Sequence, residues 1–390
     1  MTQTKIYTEV YNYLNSAGKF RDARHASTLS WMVSALLGSQ TVNLAQWGVF
    51  VHSRATQEES HQKRWQRFLQ NERVVAENIY VPLVLQAISG WKKKRIYLVL
   101  DTTMLWNQYC LVSLAIITGG RAVPFLWLAL EHSSASVTWG KYQPLLEKAR
   151  QYLQDFEDVM LLADRGFANQ DLLGWLQSSP WHWAIRLPSD TQIRGVRCRG
   201  FNYSVKELYP PKREAVFYEK VGLWQEGSIK ANLALASVPG TQENWAIITD
   251  EPLSLEVFWQ YGLRFRTEHL FLDSKSGVFQ WESSSIRSAE RLGCLYLVIA
   301  IAILFGTLTG MAVEHQGLRR QVDAHLRRGL SYLKIGVRWL RAVVHQSKPF
   351  VFCQKLLNID PLPCFACRKA EERYYRAIAF SQIHEFQASF

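Results

Sequence analysis

Tyr261-Gly-Leu-Arg264-Phe-Arg-Thr-Glu268-His-Leu-Phe-Leu-Asp-Ser-Lys275 reads as one helix with its chemistry gathered on one side. At about 100° per residue, Tyr261, Arg264, Glu268 and Lys275 fall within about 60° of one another. A phenol, a guanidinium, a carboxylate and an ammonium then share a stripe. A solvated salt-bridge face alternates its signs without adding a phenol in register. For this helix taken alone, an exposed charged stripe remains the alternative. Two aspartates upstream, Asp101 and Asp164, shift the balance, because each stands where an apolar run ends.

Outward from that helix the chain alternates strand and helix patterns. Arg95-Ile-Tyr-Leu-Val-Leu-Asp101 is a short apolar run closed by an acid. Leu111 to Thr118 and Ala122 to Leu130 flank Gly119-Gly120, the signature of a hairpin. A helix is expected over Tyr142 to Gln154, then a strand Val159-Met-Leu-Leu-Ala163 ending at Asp164-Arg-Gly-Phe167. A further helix (Asp171 to Leu176) and strand (Trp183 to Leu187) complete the series. This order is that of an α/β, ribonuclease-H-like core, a mixed five-stranded sheet flanked by helices. In such a core the ends of the first and fourth strands adjoin, which would bring Asp101 and Asp164 together. Singly, either aspartate could as well cap a turn.

Residues 190–254 interrupt the series with short alternating runs and read as a β-rich insertion, basic at its start (Arg194, Arg197, Arg199, Lys206, Lys212, Arg213). Pro252 suits the first turn of the helix that carries Glu268. Leu292 to Val313 then runs without a charge, long enough to span a bilayer or to fill a large core. The run is solitary and has basic flanks, which favours the core. A basic helix is expected from Leu318 through Arg341. The organisation predicted is a helical N-terminal DNA-binding domain (1–90), the core's first part (91–189), the insertion (190–254), the core's second part (255–313) and a basic helical C-terminal region (314–390).

The net charge of +12 calls for a polyanionic partner, nucleic acid or an acidic membrane surface. In the N-terminal region, Thr41 to Trp47 resembles half of a helix-turn-helix. The following segment sets Ser60, Lys63, Arg64 and Arg67 along one helical face. That face suits phosphate contacts as well as it suits a solvated basic helix. Six cysteines are too few for a disulfide framework and fit a reduced, cytoplasmic setting. Cys364-Phe-Ala-Cys367 has the spacing of half a zinc site without a second pair beside it. The polar N-terminus shows no signal peptide.

Taken together, Asp101, Asp164 and Glu268 resemble the acidic triad of the DDE transposases. Tyr261, Arg264, Glu268 and Lys275 match the Tyr-x-x-Arg-x-x-x-Glu-x-x-x-x-x-x-Lys signature of their insertion-sequence-four branch, which includes the transposon-five-like cut-and-paste enzymes. Trp245, Thr249, Glu251 and Pro252 match that branch's Trp-x-x-x-Thr-x-Glu-Pro pattern. The chain departs from many relatives at Phe265, where they carry Trp.

The resemblance implies an enzyme that excises and integrates an insertion sequence by metal-dependent phosphodiester hydrolysis and transesterification, through a hairpin intermediate. Asp101, Asp164 and Glu268 would be both catalytic residues and ligands of two Mg2+ ions, with Mn2+ able to substitute. Two such ions about 3.5–4 Å apart serve the attacking and leaving oxygens of one in-line displacement. Tyr261, Arg264 and Lys275 would contact DNA near the cut, and Trp245 would stack on a flipped base. Lys63, Arg64 and Arg67 are the candidate contacts of the N-terminal region. The partners implied are double-stranded DNA, as transposon ends and target, and a second copy of the chain in a homodimer, with no membrane. The setting would be the bacterial cytoplasm, on the nucleoid when bound. The alternatives are a structure-specific nuclease of the same fold and a catalytically silent DNA-binding relative.

Overall fold

The computed structural model describes residues 2–52, 57–196, 201–237 and 244–358, with short pieces of the tail at 368–369, 372 and 382–387. Helices α1 (Thr2–Ala17), α2 (Ala23–Ser39), α3 (Glu58–Leu69) and α4 (Ala76–Ala87) come first, then strands β1 (Ile96–Leu105), β2 (Tyr109–Thr118) and β3 (Arg121–Glu131). Next are α5 (Trp139–Tyr152), β4 (Val159–Ala163), α6 (Gln170–Gln177) and β5 (His182–Arg186). The expected insertion holds β6 (Gln192–Arg194), β7 (Asn202–Ser204), α7 (Val205–Leu208), β8 (Glu214–Leu223), β9 (Ile229–Ser237) and β10 (Asn244–Thr249). After it come α8 (Glu256–Gly262), α9 (Arg266–Leu272), α10 (Ala289–His315), α11 (Tyr332–His345) and a tail strand β11 (Gln382–Gln387). The chain is thus a mixed α/β protein with extensive sheet. It divides into two compact units, one of Met1–Lys92, Thr102–Ala135 and Arg266–Ala366, the other of Lys93–Asp101, Ser136–Phe265 and Cys367–Phe390.

The first unit is built around α10. All its residues from Leu295 to Val313 are buried, and it packs against α11, α2, α4 and β3. A helix apolar on every side belongs where every side is covered. Among the described residues α10 alone is long and apolar enough to cross a membrane, and 89% of its most apolar window is buried inside the protein. The core therefore accounts for the uncharged run. β2 and β3 pair antiparallel, and Thr118 faces Arg121 across the Gly119-Gly120 turn. Both glycines have positive φ (51° and 83°), which a two-residue hairpin turn of this kind requires.

α10 and α11 cross almost backbone to backbone. A Cβ on Gly310 would strike the Tyr332 carbonyl, and one on Gly336 would strike the Gly306 carbonyl. Neither obstacle is a flexible side chain, so the helices would have to separate. Gly336→Ala is expected to destabilise the protein by about 1–3 kcal/mol, as overpacking does. A thermal melt checks this, and an unchanged midpoint would show that the crossing tolerates a methyl.

Two N- and C-terminal expectations change in this unit. Thr41 to Trp47 is no half of a helix-turn-helix: it is a 3-10 turn (Leu44–Gln46) capped by the Asn43 side chain, with Trp47 buried and donating from Nε1 to the Thr41 carbonyl (2.7 Å). Leu318 to Arg341 is likewise not one helix. A 3-10 turn (Arg319–Gln321) and a loop precede α11, whose start is set by Ser331 accepting from the Lys334 N–H.

In the second unit the sheet runs β1–β4–β5–β10–β9–β8–β6–β7, with β11 parallel to β8. The expected sheet of five strands is exceeded because the insertion continues the sheet: β10 lies antiparallel to β5, pairing Ile247 with Arg186. Burial explains this. β5 is buried almost throughout, and an open edge beside Trp183, Ala184 and Ile185 would leave its backbone groups unpaired. β1 and β4 pair parallel, Leu100 opposite Ala163.

The single helix expected from Pro252 to Lys275 is segmented. It begins at Glu256, whose N–H is accepted by the Ser254 side chain (3.2 Å), so Ser254 rather than Pro252 sets the start. After Gly262 the backbone tightens into a 3-10 turn, Leu263–Phe265, and after α9 it widens into a π turn, Asp273–Gly277. The π turn closes with the N–H groups of Val278 and Phe279 both reaching the Asp273 carbonyl (2.9 and 3.1 Å). These changes of pitch remove the uniform 100° spacing on which the four-residue stripe rested.

Candidate active site

Asp101 and Asp164 are the next residues after the paired positions Leu100 and Ala163 of two adjacent parallel strands. Neighbouring strands are about 4.8 Å apart, so these backbone positions adjoin. Asp101 stays within β1, and Asp164 opens the 3-10 turn Arg165–Phe167. The strand order thus brings together the two upstream acids.

Both carboxylates are engaged by the signature helix of the same unit. Arg264 Nη1 donates to Asp101 Oδ2 (3.0 Å), and the two side chains are only 6% and 14% exposed. Tyr261 donates its hydroxyl to Asp164 Oδ1 (3.2 Å). Tyr261 is fully buried, and burial pushes its phenol well above the ordinary value, with Arg264 opposing. The hydroxyl therefore stays a proton donor at any ordinary pH.

Arg264 lies in an aromatic setting. Its guanidinium sits over the Phe265 ring (4.6 Å to the centroid) and near that of Tyr261 (5.8 Å). Trp245, on β10 and 6% exposed, stacks on Phe265 at 5.5 Å and meets Tyr261 edge-on at 5.3 Å. The Phe265 ring thus contacts both Trp245 and the arginine. A base stacking on that face of Trp245 would take the place of Phe265.

Glu268 belongs to the other unit, exposed on α9, which packs against β3. Lys275 lies in the π turn of that unit, paired with Glu282 (3.0 Å). Among the described residues no group of three His, Cys, Asp or Glu side chains is arranged to hold a metal ion. Cys364, Cys367, Arg197 and Arg199 lie outside the described residues.

The basic face of α3 is less uniform than its spacing suggests. Lys63 is exposed and pairs with Glu59 (2.6 Å), an arrangement worth little on a surface. Arg64 is half-buried, its Nε donating to Thr28 of α2 (3.1 Å) and its guanidinium near Trp65, so it packs helices together. Arg67 is exposed. Arg67→Ala is therefore expected to reduce the salt dependence of duplex binding by about 0.9 in log–log slope, the loss of one phosphate contact. Arg64→Ala should lower the melting temperature instead. An unchanged slope for Arg67→Ala would remove α3 from the DNA surface.

One cluster escaped the sequence reading. Arg95, just before β1, donates to Asp158 before β4 (2.9 Å) and in two-pronged fashion to Glu251 (2.6 and 2.8 Å). Thr249 donates to the Trp183 carbonyl (2.7 Å) and accepts from the Glu251 N–H (3.2 Å). The Thr-x-Glu part of the tryptophan pattern thus ties β10 to β5 and to the start of β1. The signal was the recurring pattern itself, which names the acid but not its distant arginine.

A family profile described as "Transposase DDE domain" matches residues 108–305, half of the chain. The match takes in Asp164, Trp245, Tyr261, Arg264, Glu268 and Lys275 and begins beyond Asp101. The chain belongs to the DDE transposase domain family, and it is an enzyme that acts on DNA. Among solved structures it is similar to a cryo-EM structure of a piggyBac transposase synaptic complex with hairpin DNA, at 10% identity and a TM-score of 0.41, covering 88% of this chain and 78% of that one. No curated protein matches the sequence.

Proposed function

We propose that the chain is a cut-and-paste transposase of the insertion-sequence-four branch, with a ribonuclease-H-like core, and that Asp101, Asp164 and Glu268 are its catalytic acids. The observation that carries the reading is the pair of aspartates at adjoining positions of two neighbouring parallel strands, Asp101 within β1 and Asp164 just past β4, each bonded to a residue of the Tyr-Arg-Glu-Lys signature. Members of this family generally use divalent metals. The donor set fits a hard cation such as Mg2+ or Mn2+, because both aspartates offer carboxylate oxygens and no soft ligand stands with them. When bound, such an ion would supply charge neutralisation at phosphorus and a more acidic water. Asp101, Asp164 and Glu268 would hold it. For the two aspartates, a cation would take over oxygens that Arg264 and Tyr261 now engage. Arg264, so released, would be placed to meet a phosphate, with Tyr261 and Lys275 beside the DNA end.

The basic residues and the signature support double-stranded DNA, as element ends and target, for the partner, with a homodimer holding two ends. We infer a bacterial cytoplasmic enzyme, on the nucleoid when bound. The functional division follows residues 1–90, 91–189, 190–254, 255–313 and 314–390, with end recognition in the first of these. A base-flipping role for Trp245 and a hairpin intermediate belong to the same proposal.

Joining separates this reading from that of a nuclease. The purified protein, given Mg2+, the element's end and a plasmid target, should link the donor 3′-hydroxyl to the plasmid. Nicked end without any joined product would favour a nuclease, and binding without nicking a silent relative.

A further inference from the structure

The first unit contains an exposed loop, between α10 and α11, whose backbone is fixed by an unusual number of charged side chains. At its centre is Asp323, with no exposed side-chain surface. Its Oδ1 accepts from the His325 N–H (3.1 Å) and bonds the His325 ring at Nδ1 (2.5 Å). Its Oδ2 accepts from the Gly329 N–H (3.0 Å) and from Arg319 Nη1 (3.2 Å). The loop carbonyls are held in turn by guanidinium groups. Arg319 donates to the carbonyls of His325 and Leu326 (2.9 and 3.1 Å), Arg320 to that of His325 (3.0 Å), and Arg338 of α11 to that of Val322 (3.2 Å). Arg319 is itself anchored on Glu314 of α10 (2.9 Å). Long side chains lose rotamer freedom when fixed in this way, so the loop's shape is preset before any partner arrives.

What that shape presents is Leu326, 83% exposed, followed by the exposed Arg327 and by Arg328, which is half-buried over the Tyr332 ring (4.2 Å to the centroid) with Nη1 donating to the Leu330 carbonyl (3.4 Å). A single exposed leucine on a mobile surface needs no explanation. This one stands on braced backbone inside a stretch, residues 318–341, with seven Lys and Arg against one Asp. An apolar tip with cationic flanks is the design of side chains that enter a base step while their neighbours hold phosphates.

We propose that this loop is a DNA wedge, in which Leu326 inserts at a base step of duplex DNA and Arg327 and Arg328 face the flanking phosphates. The proposal rests on the reading of the chain as a DNA transposase and adds to it a site of DNA deformation outside the acidic residues. The rigid loop lets the wedge meet the duplex without first being ordered.

The test uses the full chain and a short duplex carrying 2-aminopurine beside a TpA step, the kind most easily unstacked. Binding of the wild type should raise the fluorescence as the base unstacks. Leu326→Ser should bring the signal close to that of free duplex. Its dissociation constant should rise by less than about tenfold, because the cost of unstacking disappears with the wedge. Leu326→Phe, a bulkier apolar tip, should keep the rise. Asp323→Asn should diminish it with Leu326 intact, since the loop loses the anion that gathers it.

A rise in Leu326→Ser equal to that of the wild type would overturn the proposal. So would an altered oligomeric state of that variant with unaltered fluorescence, which would make the loop an interface between copies. Wild-type protein that binds and cuts DNA without any rise sinks the wedge alone. Wild-type protein that binds no DNA removes the transposase reading as well.

Discussion

Asp101→Asn, Asp164→Asn and Glu268→Gln are each expected to reduce strand cleavage by at least about 10³-fold, corresponding to the several kcal/mol of charge stabilisation that a metal site supplies. DNA binding should change little, because the carboxylates serve the cation rather than the phosphate backbone. Each amide keeps the shape of the acid and an acceptor oxygen, so the loss is one of chemistry before it is one of folding. The two aspartates should nonetheless differ in stability. Asp101→Asn takes the counter-charge from a guanidinium that is 6% exposed, whereas Asp164→Asn leaves only a phenol without its charged acceptor. Cleavage kinetics and thermal melts on the three variants check both statements. A variant that cuts at near the wild-type rate removes its residue from the site, and equal melting temperatures for the aspartate variants contradict the buried ion pair.

Arg264→Ala should destabilise the second unit by about 3–5 kcal/mol, since it takes the guanidinium from a mostly buried Asp101 carboxylate and empties the space over Phe265. Arg264→Lys should recover only part of this. An ammonium restores the charge but cannot lie flat over the ring or keep the fork of donors. Denaturant midpoints give the comparison. If Arg264→Ala and Arg264→Lys unfold at the wild-type midpoint, the pair with Asp101 contributes nothing to the fold. If both lose cleavage at full stability, Arg264 acts on DNA and not on Asp101.

Much of this was visible in the sequence, because it lay in local patterns. The Gly119-Gly120 turn, the apolar runs ending in Asp101 and Asp164, and the uncharged core helix each follow from neighbours in the chain. Partners far apart in sequence were not visible. The resemblance implies that Arg264 contacts DNA, but no local pattern reveals its partner in the fold, Asp101, 163 residues away. Arg95, Asp158 and Glu251 were equally hidden, as only folding brings them together. Pitch was the other blind spot. Wheel arithmetic assumes a uniform helix, and neither Gly262 nor the Asp273 carbonyl that closes the π turn announces how far the geometry will drift. The insertion was recognised as β-rich, but nothing in its short runs reveals that β10 docks on β5 and extends the sheet.

The central claim is that Asp101 and Asp164 form part of a divalent-cation site. It is tested most directly by counting Mn2+ bound to the complex of the full chain with the element's end, by electron paramagnetic resonance, for the wild type and for the Asp101→Asn, Asp164→Asn double variant. The account predicts that the wild-type complex takes up Mn2+ and that the double variant, with DNA still bound, loses that uptake. Equal uptake by the two complexes would contradict it.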